Sequence, residues 1–266
     1  MSVIVSGEDY VKLPRAVETW LIEPLVPAGG TCLIYGPPKA GKSVAALMMS
    51  QAIQNGADWL GYPVRQRGPV VYVQLDNPRS LWATRLIKTI QRFPEVGLPL
   101  CADKETLDTY PSFDILNQTH ADLLTVALRE ITPSPVAVII DTLIKSHSAK
   151  ENDPTEMTRV MARLTSAVRP AALIIVAHSR KNPTHEYTPS VVDDNRGSNS
   201  VVGEMDAIIS MTKSSMSIVG RAIEDTTFRT HLEEDVRLWR GAEKLPQTED
   251  NTHHNHAHPS TTPPTS

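Results

Sequence analysis

The chain has 266 residues, 40% of them apolar and 21% charged, which suits one α/β domain with short additions and leaves a second full domain cramped. A net charge of -4 argues against bulk electrostatic coating of nucleic acid, so any such contact must come from local clusters of Lys and Arg. Two cysteines, Cys32 and Cys101, argue against a disulfide framework, and no apolar run approaches the roughly 20 residues that span a bilayer, so a soluble protein of a reducing, cytoplasmic compartment is expected.

Residues 1–30 read as an N-terminal lead-in segment of loops and short turns, because Pro24 and Pro27 interrupt its apolar residues. Thr31-Cys32-Leu33-Ile34-Tyr35 is a short apolar run ending at Gly36 and reads as a buried strand. Apolar residues at helical spacing follow over 43–55 and stop at Gly56. A second buried strand is expected over 69–75, then a helix over 80–91, a polar proline-containing stretch, and a helix over 121–130. The third strand, Val136 to Ile140, runs into Asp141; a helix over 155–168 leads to a fourth strand, Ala172 to Ala177, that runs into His178. After a polar segment over 179–200, strands are expected over 207–211 and 217–219, with a closing hairpin over 227–233 and 236–239. Strands alternating with helices imply a mostly parallel sheet covered by helices on both faces. From residue 244 the chain turns to Thr, Pro, His, Asn and Ser without apolar periodicity, so 244–266 reads as a disordered tail, leaving 31–243 as the folded domain. His253, His254, His256 and His258 fall in that tail without any Cys or carboxylate framework around them and read as solvated.

The strongest chemical signal is Gly36-Pro37-Pro38-Lys39-Ala40-Gly41-Lys42-Ser43, a complete Walker A pattern between an apolar strand and an amphipathic helix. A loop of this kind wraps phosphates with inward-pointing backbone N–H groups. Gly41 permits close approach, Lys42 brings a positive charge to the β- and γ-phosphates, and Ser43 offers a hydroxyl to Mg²⁺. Pro37 and Pro38 donate no N–H, so the donors come mainly from Lys39 onward. Asp141, an acid at the end of an apolar strand, fits the Walker B acid that orders Mg²⁺. ATP and Mg²⁺ are therefore the expected ligands.

With these motifs the sequence resembles the RecA-type ATPases of the RepA-like, AAA-type hexameric helicases of plasmids and phages. The resemblance rests on GPPKAGKS, on the strands VVYVQLD and VAVIIDTL, and on IIVAHSRK followed by a polar loop with Arg196-Gly197-Ser198, and it spans roughly residues 15–240. It implies an α/β, RecA-like P-loop core that works as a DNA-stimulated ATPase in a homo-oligomeric, hexameric ring. In such proteins the second strand usually ends in a Glu that activates the attacking water, and Asp76 holds the matching position, one methylene shorter. The resemblance also makes His178 a sensor of the γ-phosphate, and Arg221 of Val219-Gly220-Arg221 a cation completing a neighbouring subunit's site. Lys145 and Lys150 after Asp141, with Arg180, Lys181 and Arg196 after His178, become the candidate contacts to single-stranded DNA. Two other readings remain open at this point: a phage-type recombinase or annealing ATPase, and a regulatory ATPase that acts on protein partners.

Overall fold

The computed structural model describes residues 5–12, 19–95, 97–109, 112–179, 199–233 and 238–244. After a single helical turn, α1 (Gly7–Tyr10), the lead-in segment forms two short antiparallel strands, β1 (Trp20–Ile22) and β2 (Val26–Pro27). The expected loop is thus a small ribbon, whose Leu21, Ile22, Leu25 and Val26 are buried against the main core. The prolines break the helical period without preventing strand geometry.

The main sheet contains β3 (Thr31–Gly36), β4 (Val70–Gln74), β5 (Leu100–Ala102), β6 (Ala137–Asp141), β7 (Ala172–His178), β8 (Ala207–Met211), β9 (Ser215–Gly220), β10 (Ile223–Glu233) and β11 (Leu238–Lys244). Its order is β5-β4-β6-β7-β3-β8-β9-β10-β11. The six strands from β5 to β8 are parallel, and β9, β10 and β11 add antiparallel pairs at one side. The connections carry α2 (Lys42–Asn55), α3 (Arg79–Arg92), α4 (Gln118–Glu130), α5 (Pro154–Val168) and the short α6 (Asn199–Gly203).

Strand alternation divides the core in two. Cys32, Ile34, Tyr72, Ile139 and Ile174 point to one face, where α2 and Trp82 of α3 cover them. Leu33, Tyr35, Val73, Ile140 and Ile175 point to the other, under Leu124 of α4 and Met157, Val160 and Leu164 of α5. The central strands read as continuous apolar runs because both faces are dry. Helix starts follow their local chemistry: Asn117 accepts hydrogen bonds from the N–H groups of Thr119 and His120, and Asp153 does the same for Thr155 and Glu156, ahead of Pro154.

Three elements differ from expectation. β5 lies in the stretch read as polar and irregular; it is three residues long and is a strand only because Val71, Tyr72 and Val73 pair with it. α6 starts within the segment expected to be a polar loop. β11 reaches Lys244, so the last expected strand is longer and takes the first residue assigned to the tail; residues 245–266 lie outside the described residues.

The C-terminal ends of β3, β4, β6 and β7 meet at one end of the sheet, the usual place for ligands in open α/β folds. Gly36 ends β3 there with φ +154, and a Cβ at this position would stand 2.2 Å from the Met211 carbonyl oxygen of β8. That neighbour is backbone, so it cannot swing aside. Gly36→Ala is therefore expected to lower stability by about 1–3 kcal/mol, measured as a reduced urea midpoint at unchanged m-value.

Candidate functional site

The loop from Gly36 to Ser43 leaves β3 and enters α2 through Lys39, at φ 66, and Gly41, at φ 90. Gly41 is the N-cap of α2 and no side chain caps this helix, so its positive end faces the cleft. Pro38, Lys39, Gly41, Lys42, Ser43, Asp76, Asn77, Arg85, Asp141 and His178 converge on that cleft, whose volume is about 270 Å³. Loop, helix terminus and side chains fit an anionic polyphosphate with a bound cation.

Lys42 is 5% exposed. Its ammonium donates to the Pro37 carbonyl oxygen at 2.9 Å and lies 3.2 Å from His178 Nδ1. Burial lowers its pKa to about 8, against the pull of Asp141 and Asp76. The exposed His178 is lowered as well, by desolvation and then by the Lys42 charge, which favours a neutral ring whose Nδ1 accepts from the ammonium.

Asp141 is 2% exposed. Burial pushes its pKa up, while hydrogen bonds from Ser43 and Tyr72 pull it back. The Tyr72 hydroxyl donates to Asp141 Oδ2 at 2.7 Å and lies 3.3 Å from the Ser43 carbonyl oxygen. Tyr72 therefore ties the end of β6 to the start of α2. The phenol itself is pushed well up, by burial and then by the Asp141 charge. Ser43 and Asp141 are thus brought together as the pair that could hold a divalent cation, with only oxygen donors, as Mg²⁺ requires.

Asp76 is exposed and faces the cleft from the turn after β4. That turn is fastened by Gln74, whose Oε1 accepts from the N–H groups of Asp76 at 2.6 Å and Asn77 at 3.1 Å. The ladder continues one step further, with the Leu75 N–H donating to the Asp141 carbonyl at 2.7 Å.

A family model described as an AAA domain matches residues 5–184, more than half of the chain. The chain belongs to the AAA domain family. No curated protein matches it. Among solved structures, one described as an ATPase domain has a similar fold, with a TM-score of 0.61 and 15% identity over 80% of this chain and 85% of that one. A DnaB-like replicative helicase, described with its interactions with primase, gives 0.60 and 15% over 80% of this chain and 57% of that one. The chain thus spans little more than half of that helicase, and at such identity the likeness establishes the RecA-like fold.

In this AAA domain the remaining expected residues lie elsewhere. Lys145 and Lys150 are exposed on the segment after β6, Lys145 closing a 3₁₀ turn over Leu143–Lys145. Arg180, Lys181 and Arg196 lie outside the described residues. Arg221 is not brought to the cleft of its own chain. Gly220 pairs with Ala207, which pairs with Cys32, so Arg221 stands at the far end of β3 from the loop, roughly 16 Å away along the strand. There its guanidinium pairs with Asp206 Oδ1 at 3.3 Å, while Asp206 Oδ2 accepts from the Thr31 N–H. Among the described residues of the late strands and turns, the exposed Lys213 of the β8–β9 turn and the exposed Arg229, in register with Ser215, stand at the cleft end.

Sequence reasoning missed Arg85. Its guanidinium lies 5.5 Å from the centroid of the Trp82 ring, which in turn packs against Tyr72 at 4.5 Å. One nitrogen, Nη1, is buried with no hydrogen-bond partner among the described residues. The signal available was a Trp and an Arg three apart, on one face of a helix that starts just after Asp76. The Tyr72 contact gives a direct expectation. Tyr72→Phe keeps the ring packing but strips a hydrogen bond from a buried carboxylate, and should cost about 1.5–3 kcal/mol, read by equilibrium urea unfolding against wild type.

Proposed function

We propose that this chain binds ATP with Mg²⁺ and hydrolyses it as a DNA-stimulated motor of the RepA-like helicase kind, working in replication or recombination. The observation that carries the reading is the meeting of Lys42, Ser43, Asp76, Asp141 and His178 in one cleft at the end of a helix whose N-terminus no side chain caps. The loop from Gly36 to Ser43 would cradle the triphosphate, and Lys42 would leave Pro37 and His178 for the phosphates. Ser43 and Asp141 would hold Mg²⁺, which supplies positive charge against the phosphate oxygens. Asp76 would orient the attacking water and accept its proton as the bond to the ADP oxygen breaks. His178, freed from the ammonium, would register the γ-phosphate at the point where the chain leaves β7. Arg85, which lines the same cleft, would supply a second positive charge from within the chain.

The motor part of the reading is a homo-oligomeric ring, taken as hexameric, around single-stranded DNA. Lys145 and Lys150 stand at the cleft end of the sheet, and Arg180, Lys181 and Arg196 would join them, so that several copies would line a basic channel although each chain is acidic. Arg221, exposed and paired with Asp206 through Nη1, would reach a neighbouring subunit's site from the opposite end of the sheet.

ATP turnover with and without single-stranded DNA, at two salt concentrations, tests this reading. DNA should raise the rate, and the stimulation should shrink at the higher salt. Lys42→Ala should lose on the order of 100-fold or more in turnover. A folded Lys42→Ala protein with wild-type turnover would remove the nucleotide assignment. A rate indifferent to DNA would leave a regulatory ATPase acting on protein partners.

For Arg85 the expected change is in kcat, beyond what folding explains. Arg85→Gln should reduce turnover by about 10- to 100-fold in a protein that still folds, with a lower melting temperature because the charge beside Asp141 and the contact with Trp82 are lost. Unchanged turnover would return Arg85 to the role of a cover for Trp82.

A further inference from the structure

The strand VVYVQLD puts a glutamine where both flanking faces of the sheet are dry. Gln74 is 2% exposed and sits in register with Asp141. One end of its amide is used, since Oε1 takes the N–H groups of both Asp76 and Asn77. The other end, Nε2, is buried with no partner among the described residues. A buried amide satisfied at one end only costs stability that an apolar side chain of the same length would not. The fold of the strand therefore gives no reason for Gln at this position, whereas the turn that follows does.

We propose that Gln74 is a positioning residue for Asp76, fixing the carboxylate-bearing turn to the end of β4 beside Asp141. This rests on the reading of Asp76 as the group that orients the attacking water. A short aspartate arm tolerates little wander of its own backbone, because a displacement of about 1 Å at a reacting group can cost on the order of 100-fold in rate. Two hydrogen bonds from consecutive N–H groups to one oxygen remove that freedom. The same oxygen belongs to a side chain anchored in the sheet next to Asp141, so the two carboxylates share one rigid frame.

Gln74→Met keeps length and volume and removes the acceptor. It should lower kcat by about 10- to 100-fold and leave the dissociation constant for ATP within about threefold, since no phosphate contact is touched. In an Asp76→Asn background the same change should add less than a twofold further loss, because Gln74 acts through Asp76. A double variant whose losses multiply would overturn the proposal, and so would an Asp76→Asn protein with full activity. Peptide-resolved hydrogen exchange reads the turn without relying on turnover. The Asp76 and Asn77 amides should exchange at least about tenfold faster in Gln74→Met. Unchanged exchange would overturn the proposal even if kcat fell. A wild-type chain without ATP turnover would sink the functional reading, while the exchange measurement would still decide whether Gln74 holds the turn.

Discussion

The arrangement depends on one buried carboxylate. Asp141 lies at the end of a strand whose four preceding residues are entirely apolar and fully buried, where an isolated anion would be very costly. It persists because the Tyr72 hydroxyl and Ser43 bind it and because Lys42 and Arg85 place positive charge nearby. These contacts come from β4, the loop, α2 and α3, so satisfying a single acid draws together the elements that build the cleft. Tyr72 is central to this: its ring packs under Trp82, its hydroxyl binds Asp141, and the same oxygen approaches the first turn of α2.

Charge is arranged around that anion in graded exposure. Lys42 is nearly buried and its proton is loosened, His178 is exposed and held neutral, and Asp76 is exposed at the rim. The ammonium already has two partners, the Pro37 carbonyl and His178 Nδ1. A phosphate arriving there exchanges hydrogen bonds rather than gaining new ones, which limits the affinity this contact supplies and gives it specificity for a group that outcompetes both partners.

Much of this was legible in the chain. The strand–loop–helix opening at 31–55 and the acid-terminated strands announce themselves because a doubly covered parallel sheet writes its strands as unbroken apolar runs. The site residues that those motifs name meet in one cleft, apart from the segment after His178, most of which lies outside the described residues. What could not be read was whatever depends on neighbours distant in sequence. β5 has no apolar period of its own and exists through β4. Arg85 looks like a surface residue on an amphipathic helix until Trp82 and Tyr72 stack beneath it. Gln74 looks like a polar interruption in a strand until its oxygen meets the turn two residues on. Arg221, expected to complete a neighbouring subunit's site, stands at the other end of the sheet from its own chain's cleft, because β9 returns antiparallel; that distance could not be read from the sequence.

The brevity of β5 has a consequence for how the protein behaves among its own copies. It forms one border of the nine-stranded sheet, and a long, flat border strand presents unpaired N–H and C=O groups to which any passing extended chain can add. Three residues offer too few such groups to template a foreign strand, although Leu100 is 46% exposed there. The ion pairs of Arg79 with Asp103 and Glu105 immediately follow and surround that border with charge. On this side the sheet ends in a short, salted margin, which protects the protein in a crowded solution against sheet-to-sheet aggregation.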